Sequence, residues 1–215
     1  MTRARPAATL AAVTTIGLVA VAASGCGGGK SSGGCESVKA PVANQRGWPQ
    51  PTKHLAPNRI YELTFDTSCG SFTVTLDQKK APETSASLVY LTRHRYFDRT
   101  IFHRIVPGFV IQGGDPTATG SGGPGYQTVD PPPKDTKYTH GVVAMAKTPD
   151  EPSGTSGSQF FIVTAKDSQL DPDYAVVGKV TDGLNVVDRI GKLGDVNTEQ
   201  PTQTVEIENV RVHVS

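Results

Sequence analysis

Residues Ile101 to Asp115 read Ile-Phe-His-Arg-Ile-Val-Pro-Gly-Phe-Val-Ile-Gln-Gly-Gly-Asp and set two apolar, β-prone runs on either side of Pro107-Gly108. Turn residues between such runs predict a hairpin. Inside it stand one permanent cation, Arg104, and one amide, Gln112. Burying part of a guanidinium among apolar neighbours costs free energy unless it is paired, so the position asks for a functional reason. Register decides whether the two polar residues act together. A two-residue loop would set Val106 opposite Phe109 and send Arg104 and Gln112 to opposite faces. A three-residue connection sets Val106 opposite Val110 and Arg104 directly across from Gln112, and that register is the one expected.

Charge narrows the classes of partner. Lys and Arg number 21 against 20 Asp and Glu, a formal net charge of +1, and the basic residues are scattered. No electrostatic footprint for nucleic acid follows from that distribution. Much of the glycine and proline (23 and 16 residues) lies in the N-terminal region and in a few loops, which points to β structure with elaborate turns.

The N-terminus reads as a separate region. Arg3 and Arg5 precede an apolar run from about Ala7 to Ala23, ending at Ala23-Ser24-Gly25-Cys26. A positive start, a short apolar stretch and small residues before a break mark an export signal, taken as residues 1–25. The approach to Cys26 resembles a bacterial lipobox, in which the cysteine becomes the lipid-modified first residue, although Ala23 stands where that pattern usually has leucine. The expectation is a lipoprotein on the outer face of the cell membrane, with secretion after ordinary signal cleavage as the alternative. Residues 26–57, rich in Gly and Ser and then in Pro, read as an anchor tether and extended linker. Of the three cysteines, Cys35 and Cys69 would remain beside an acylated Cys26. They either pair in an oxidising exterior or stay free, and the sequence leaves both open.

Residues 58–215, roughly 160 in number, suit one domain with a core of its own. Ile60–Phe65 and Ser71–Leu76 alternate with period two around Cys69-Gly70, a first hairpin. Pro82 opens a helix running to about Arg95. Further strands are expected at Gly141–Ala146, Ser158–Thr164, Tyr174–Val180 and Thr204–Val214, with a short helix from Leu184 to Ile190. Seven or eight strands, two helices far apart and no β-α-β alternation favour a mostly antiparallel barrel.

Several chemistries drop out. The string Gly120-Ser121-Gly122-Gly123-Pro124-Gly125 leads into Pro124 and a polar stretch instead of a helix, so it is not a dinucleotide loop. No serine on a strand-to-helix nucleophile elbow is expected, and the five histidines show no short metal-ligand spacing. His103 adjoins Arg104, but neighbours on a strand face opposite ways, so its expected role is structural. An arginine, two glutamines and apolar residues at strand ends suit a hydrophobic ligand with a polar backbone.

Those residues bring out a resemblance to the cyclophilins, the peptidyl-prolyl cis-trans isomerase family. Phe102-His103-Arg104 through Gln112-Gly113-Gly114-Asp115 resembles the family's first signature, Gly157 to Ile162 its second, and Leu170-Asp171 with Val176 to Val180 its third. The similarity runs from about Arg59 to Val214. It implies a mainly β fold, a closed eight-stranded antiparallel barrel capped by two helices, and an isomerase that needs no cofactor or metal. It further implies Arg104 as the catalytic cation with Gln112 beside it. Phe109, Val110, Phe161 and Leu170 would form a pocket for the proline ring, while Ala146, Lys147 and Gln159 would line the groove for the preceding residues.

Three positions depart from the family's pattern. Gln169 stands where many members have a tryptophan associated with cyclosporin, so weak binding of that drug is expected. Tyr174 replaces a pocket histidine and can still close the pocket. Lys147 replaces an asparagine and would add charge to the groove, shifting preference toward acidic or neutral residues before proline. The expected partners are proline-containing segments of exported proteins and, through the lipid, a membrane; the protein itself is expected to be a monomer. The competing reading is a proline-binding adaptor or holdase with incidental turnover.

Overall fold

The computed structural model describes residues 34–215; the leader, Cys26 and the start of the tether lie outside them. The first hairpin pairs β1 (Tyr61–Thr67) with β2 (Gly70–Leu76) across Ser68-Cys69. On β1 the alternation buries Tyr61, Leu63, Phe65 and Thr67 and leaves the residues between them partly exposed. Helix α1 (Pro82–Arg93) has proline in its first turn and no side-chain cap of its own. Instead, the Asp130 carboxylate accepts the Thr84 N–H and hydroxyl, both at 2.7 Å, which places an anion at the helix N-terminus. The remaining elements are β3 (Thr100–Ile101), β4 (Arg104–Val106), β5 (Val110–Gly113), β6 (Thr128–Val129), β7 (Val142–Met145), β8 (Thr155–Ser156), β9 (Phe160–Val163), β10 (Val176–Asp182), α2 (Leu184–Ile190) and β11 (Glu206–Val214).

Nine of the strands form one curled antiparallel sheet in the order β3-β11-β1-β2-β10-β7-β9-β5-β4, and β6 pairs with β8 apart from it. This corrects the expected count of eight. The segment read as one strand of the central hairpin is split into β3 and β4, which lie at opposite ends of the order although only Phe102 and His103 separate them. The two edges of the sheet are thus joined by the chain and not by a continuous ladder. At the switch, Phe102 N–H donates to Val205 O at 3.0 Å and Ile105 N–H to Glu199 O at 2.9 Å, so loops satisfy backbone groups that a neighbouring strand would otherwise take.

The concave face carries the core. Ile105, Ile111, Ile162 and Val143 are cross-strand neighbours on β4, β5, β9 and β7 and belong to one buried cluster with Phe65, Phe72, Phe102 and Phe160. Phe65 stacks on Phe72 at 4.9 Å between ring centroids, and Phe160 meets Phe102 edge to face at 6.1 Å. β9 is buried on both faces, which explains its unbroken apolar run.

Residues 34–57, expected as an extended linker, contain no helix or strand but lie against the domain. Cys35 is bonded to Cys69, Glu36 N–H donates to Ser68 O, and Trp48 sits 4.8 Å from the His94 ring. Asn44 N–H donates to Pro116 O and Trp48 N–H to Pro124 O, so this strap fastens both ends of the glycine-rich loop. The apolar contacts of Trp48 and Leu55 and the disulfide hold it where its Pro-rich composition alone predicts a solvated chain.

Candidate active site

The β4–β5 hairpin turns through Pro107, Gly108 and Phe109. Phe109 N–H closes on Val106 O at 3.0 Å, and Gly108 takes φ +70°, as the third position of a tight turn after proline requires. The register is Arg104 opposite Gln112, Ile105 opposite Ile111 and Val106 opposite Val110, as the three-residue connection demands. Ile105 and Ile111 point into the core, so Arg104 and Gln112 stand on the convex face.

The same face continues across the sheet. Gln112 lies opposite Phe161 on β9, and Phe161 opposite Ala144 on β7. Val110, Phe161, Ala144, Val163 and Tyr138 form a second apolar cluster, with Phe109, Ala146, Leu170 and Tyr174 packed partly buried against it. Phe161 meets Tyr174 edge to face at 5.4 Å. The structure therefore brings together every apolar residue that the family resemblance places in the proline pocket.

Beside this cluster runs a one-way chain of hydrogen bonds. Arg104 Nη1 donates to Gln112 Oε1 at 3.4 Å, Gln112 Nε2 to Gln159 Oε1 at 3.1 Å, and Gln159 Nε2 to Gly122 O at 3.0 Å. A guanidinium only donates, so it fixes which end of each amide faces it and orients the whole series. The last acceptor belongs to the glycine-rich loop, whose organiser is Asp115. This carboxylate accepts the Thr117 N–H and hydroxyl at 2.7 Å and the N–H groups of Thr119 and Gly120 at 3.0 and 2.7 Å. Burial pushes the carboxyl up, but these bonds outweigh it and hold the group below its ordinary 3.8. A Cβ on Gly122 would stand 2.0 Å from Asp115 Oδ1, so that position accepts only glycine. The loop that fails as a nucleotide site is here a scaffold for Gln159.

A cavity of about 660 Å³ adjoins the chain of amides, lined among others by Gln112, Gln159, Ala146, Lys147, Gly122 and Gln45 of the strap. Lys147 lines it, but its ammonium does not charge the groove as expected. The side chain is only 2% exposed, and Nζ lies 2.6 Å from Asp173 Oδ2 and donates to Glu151 O at 2.9 Å. A buried ammonium needs such partners, and the Asp173 carboxylate neutralises it where it sits, 5.7 Å from the centre of the Tyr174 ring. His103 is buried, and its ring nitrogens have no hydrogen-bond partner among the described residues. Burial pushes its pKa below the ordinary 6.5 and outweighs the nearby Asp115 carboxylate and the Gln159 side chain, which lies close to the ring without a well-formed hydrogen bond; Arg104 adds to the lowering, so the ring is neutral at pH 7.

One partner escaped the sequence altogether. Glu199, from the loop before β11, places Oε2 2.6 Å from Arg104 Nε. It lies 95 residues away, and no local pattern announces it. Among the described residues no group of three or more His, Cys, Asp or Glu is placed to hold a metal ion. A half-exposed cation, two oriented amides and an apolar shelf on the convex face of a curled antiparallel sheet define a protein that handles an apolar ring flanked by peptide groups.

Comparison with known proteins gives that class its family. The family model for cyclophilin type peptidyl-prolyl cis-trans isomerase matches residues 62–212. The peptidyl-prolyl cis-trans isomerase CYP18-2 of Arabidopsis thaliana is 39% identical over 155 residues, covering 70% of this chain and 93% of that protein. Human peptidyl-prolyl cis-trans isomerase-like 1 is 38% identical over 162 residues, covering 73% and 93%. Among solved structures, a cyclophilin type peptidyl-prolyl cis-trans isomerase of Cryptosporidium parvum superposes with a TM-score of 0.66 at 30% identity, covering 72% of this chain and 98% of that one. The same protein in the presence of the dipeptide Ala-Pro gives 0.65 at 30% identity, covering 71% and 98%. The chain belongs to the cyclophilin type peptidyl-prolyl cis-trans isomerase family.

Proposed function

We propose that this isomerase accelerates X-Pro rotation in exported polypeptides, with Arg104 as the catalytic cation. The observation that carries the reading is the Arg104–Gln112 pair set beside the apolar cluster on one face. Amide resonance opposes rotation with a barrier of roughly 18–20 kcal/mol. As the bond twists, the prolyl nitrogen regains a lone pair. Of the five N–H donors of a guanidinium, Nε–H goes to Glu199 and one on Nη1 to Gln112, leaving the outer edge of the fork to meet that lone pair.

A hydrogen bond absent from the planar ground state stabilises only the twisted state. At about 1.5–3 kcal/mol it supplies roughly ten- to hundredfold at about 1.4 kcal/mol per decade. Seating the proline ring on Phe109, Val110, Phe161 and Leu170, closed by Tyr174, holds one side while the other turns. Ala146, Gln159 and the stem of Lys147 take the residues before proline. No proton transfer or nucleophile enters this scheme.

Location belongs to the same proposal. The leader pattern, the cysteine at position 26 and the Cys35–Cys69 bond, which suits an oxidising compartment, support an exported lipoprotein acting outside the cytoplasm. Gln169 in place of the customary tryptophan supports weak cyclosporin binding.

The deciding experiment follows isomerisation of an Ala-Pro-containing peptide by wild type and by Arg104→Ala. A loss of tenfold or more at this one residue is expected on the magnitude above. Equal rates would remove Arg104 from the chemistry and favour a proline-binding adaptor. Intact-mass measurement of the mature protein separates acylation of Cys26 from simple secretion.

A further inference from the structure

We infer that Glu199 is the positioning residue for Arg104, and that the loop from Gly194 to Gln200 exists in this form to present it. The inference rests on the reading of Arg104 as the catalytic cation. Arginine carries a long, rotamer-rich side chain, and this one is 36% exposed, so packing alone does not fix its head. Gln112 reaches it only at 3.4 Å. The Glu199 carboxylate holds Nε at 2.6 Å, and because the guanidinium is a rigid planar fork, fixing Nε sets the direction of both outer nitrogens.

The carboxylate is in turn held by its backbone. Glu199 O accepts Ile105 N–H at 2.9 Å, the amide that follows Arg104, so donor and acceptor residues are tied by main chain as well as side chain. Its own N–H donates to Asp195 O at 2.8 Å. Asp195 Oδ1 gathers the N–H groups of Asn197 and Thr198 at 2.9 Å and the Thr198 hydroxyl at 3.1 Å, which knits the loop before Glu199. The loop also approaches β4 closely: a Cβ on Gly194 would stand 2.2 Å from Ile105 O.

Glu199 adopts φ +57°, a left-handed conformation seldom taken by residues with long side chains. Such a conformation persists only where its surroundings over-determine it, and such sites gather around function. Here the backbone turn aims the carboxylate at Nε while the carbonyl stays on Ile105. The loop therefore covers the free edge of β4 and orients the cation that β4 carries.

The test uses the full chain and a proline tetrapeptide whose exchange is read by NMR. Glu199→Ala is expected to lower kcat about tenfold while KM stays within about twofold, because only the geometry of the twisted state is lost. Glu199→Gln, which keeps an acceptor at the same reach, is expected to recover kcat to within about threefold. Glu199→Asp, which keeps the charge but falls short of Nε, is expected to resemble Glu199→Ala. In the same samples the Arg104 Nε–H resonance should move in the Ala and Asp variants while the thermal midpoint holds.

In an Arg104→Ala background, Glu199→Ala should bring no further loss. Wild-type kcat in both Glu199→Ala and Glu199→Asp, or an equal loss with and without Arg104, overturns the inference. Wild-type turnover by Arg104→Ala itself would instead overturn the proposed function, so the two failures are distinct. If Glu199→Ala lowers the thermal midpoint, the comparison of Gln with Asp decides, since both keep a polar side chain at that site.

Discussion

Arg104 and Gln112 face each other across one rung of the β4–β5 hairpin, and the guanidinium Nη1 donates to Gln112 Oε1 at 3.4 Å. That contact is long, and its value lies in the series it begins: Gln112 passes to Gln159, and Gln159 to Gly122. The position of the cation is thereby coupled to the glycine-rich loop, which Asp115 organises and the strap clamps at Pro116 and Pro124.

Gln112→Leu breaks the series at its first link and leaves Arg104 Nη1 to water. A net loss near 1 kcal/mol corresponds to about a fivefold lower kcat/KM. Gln159→Leu spares the direct contact to Arg104 and should cost less. The double variant should fall short of the product of the two single losses, since both lie in one network. Steady-state kinetics on all three checks this; wild-type turnover by Gln112→Leu would show that the amide does not support the cation.

Lys147 and Asp173 respond unequally to substitution. The Lys147 side chain is 2% exposed and Asp173 40%. Asp173→Ala strands a buried ammonium with only the Thr148 and Glu151 carbonyls and the Tyr174 ring for company and is expected to destabilise the fold by on the order of 1–3 kcal/mol. Lys147→Met keeps the buried stem and leaves a carboxylate that water can reach, so it should cost less. Urea midpoints of the two variants test the order, and a reversed order would refute the pairing.

The strap depends on the Cys35–Cys69 bond, which joins residues 34 apart in sequence. Closing a loop of that length stabilises by on the order of 3–4 kcal/mol through the unfolded chain. Cys35→Ser should lower the stability of the oxidised protein by up to that amount. Adding a reductant should affect wild type and leave Cys35→Ser unmoved. An unchanged urea midpoint in Cys35→Ser would mean that the bond adds nothing to what the other contacts of the strap already hold.

Acid should act in two windows. Burial holds the His103 pKa below 6.5 in the folded state, so the unfolded chain binds more protons as pH falls through 6.5, and stability present above that pH is lost below it. Hydrogen bonds hold Asp115 below 3.8 despite its burial, so its contribution is intact above 3.8 and is lost as pH falls through the lower folded value. Denaturant midpoints from pH 7 to pH 3 should show both. His103→Asn should flatten the difference between pH 7 and pH 5, and Asp115→Asn should flatten the more acidic part. A His103→Asn protein with the wild-type slope above pH 5 would contradict the first assignment.

The sequence by itself determined the local pieces: the first hairpin, both helices to within a residue or two, and the Arg104–Gln112 register. Each follows from period-two alternation, a proline at a helix start, or the length of a turn, and all of these act between residues close in the chain. The apolar shelf was also legible, through three short motifs whose family gathers them. Tertiary structure alone decided that the central segment breaks at Phe102-His103 to serve two edges of one sheet, because edge satisfaction depends on Val205 and Glu199, about a hundred residues away. It alone turned Lys147 toward Asp173, since a buried ammonium seeks whatever anion the fold brings near. Long-range pairing of charge leaves no periodic trace in a sequence, so Glu199 could not be read beside Arg104 until the loop before β11 was folded against β4.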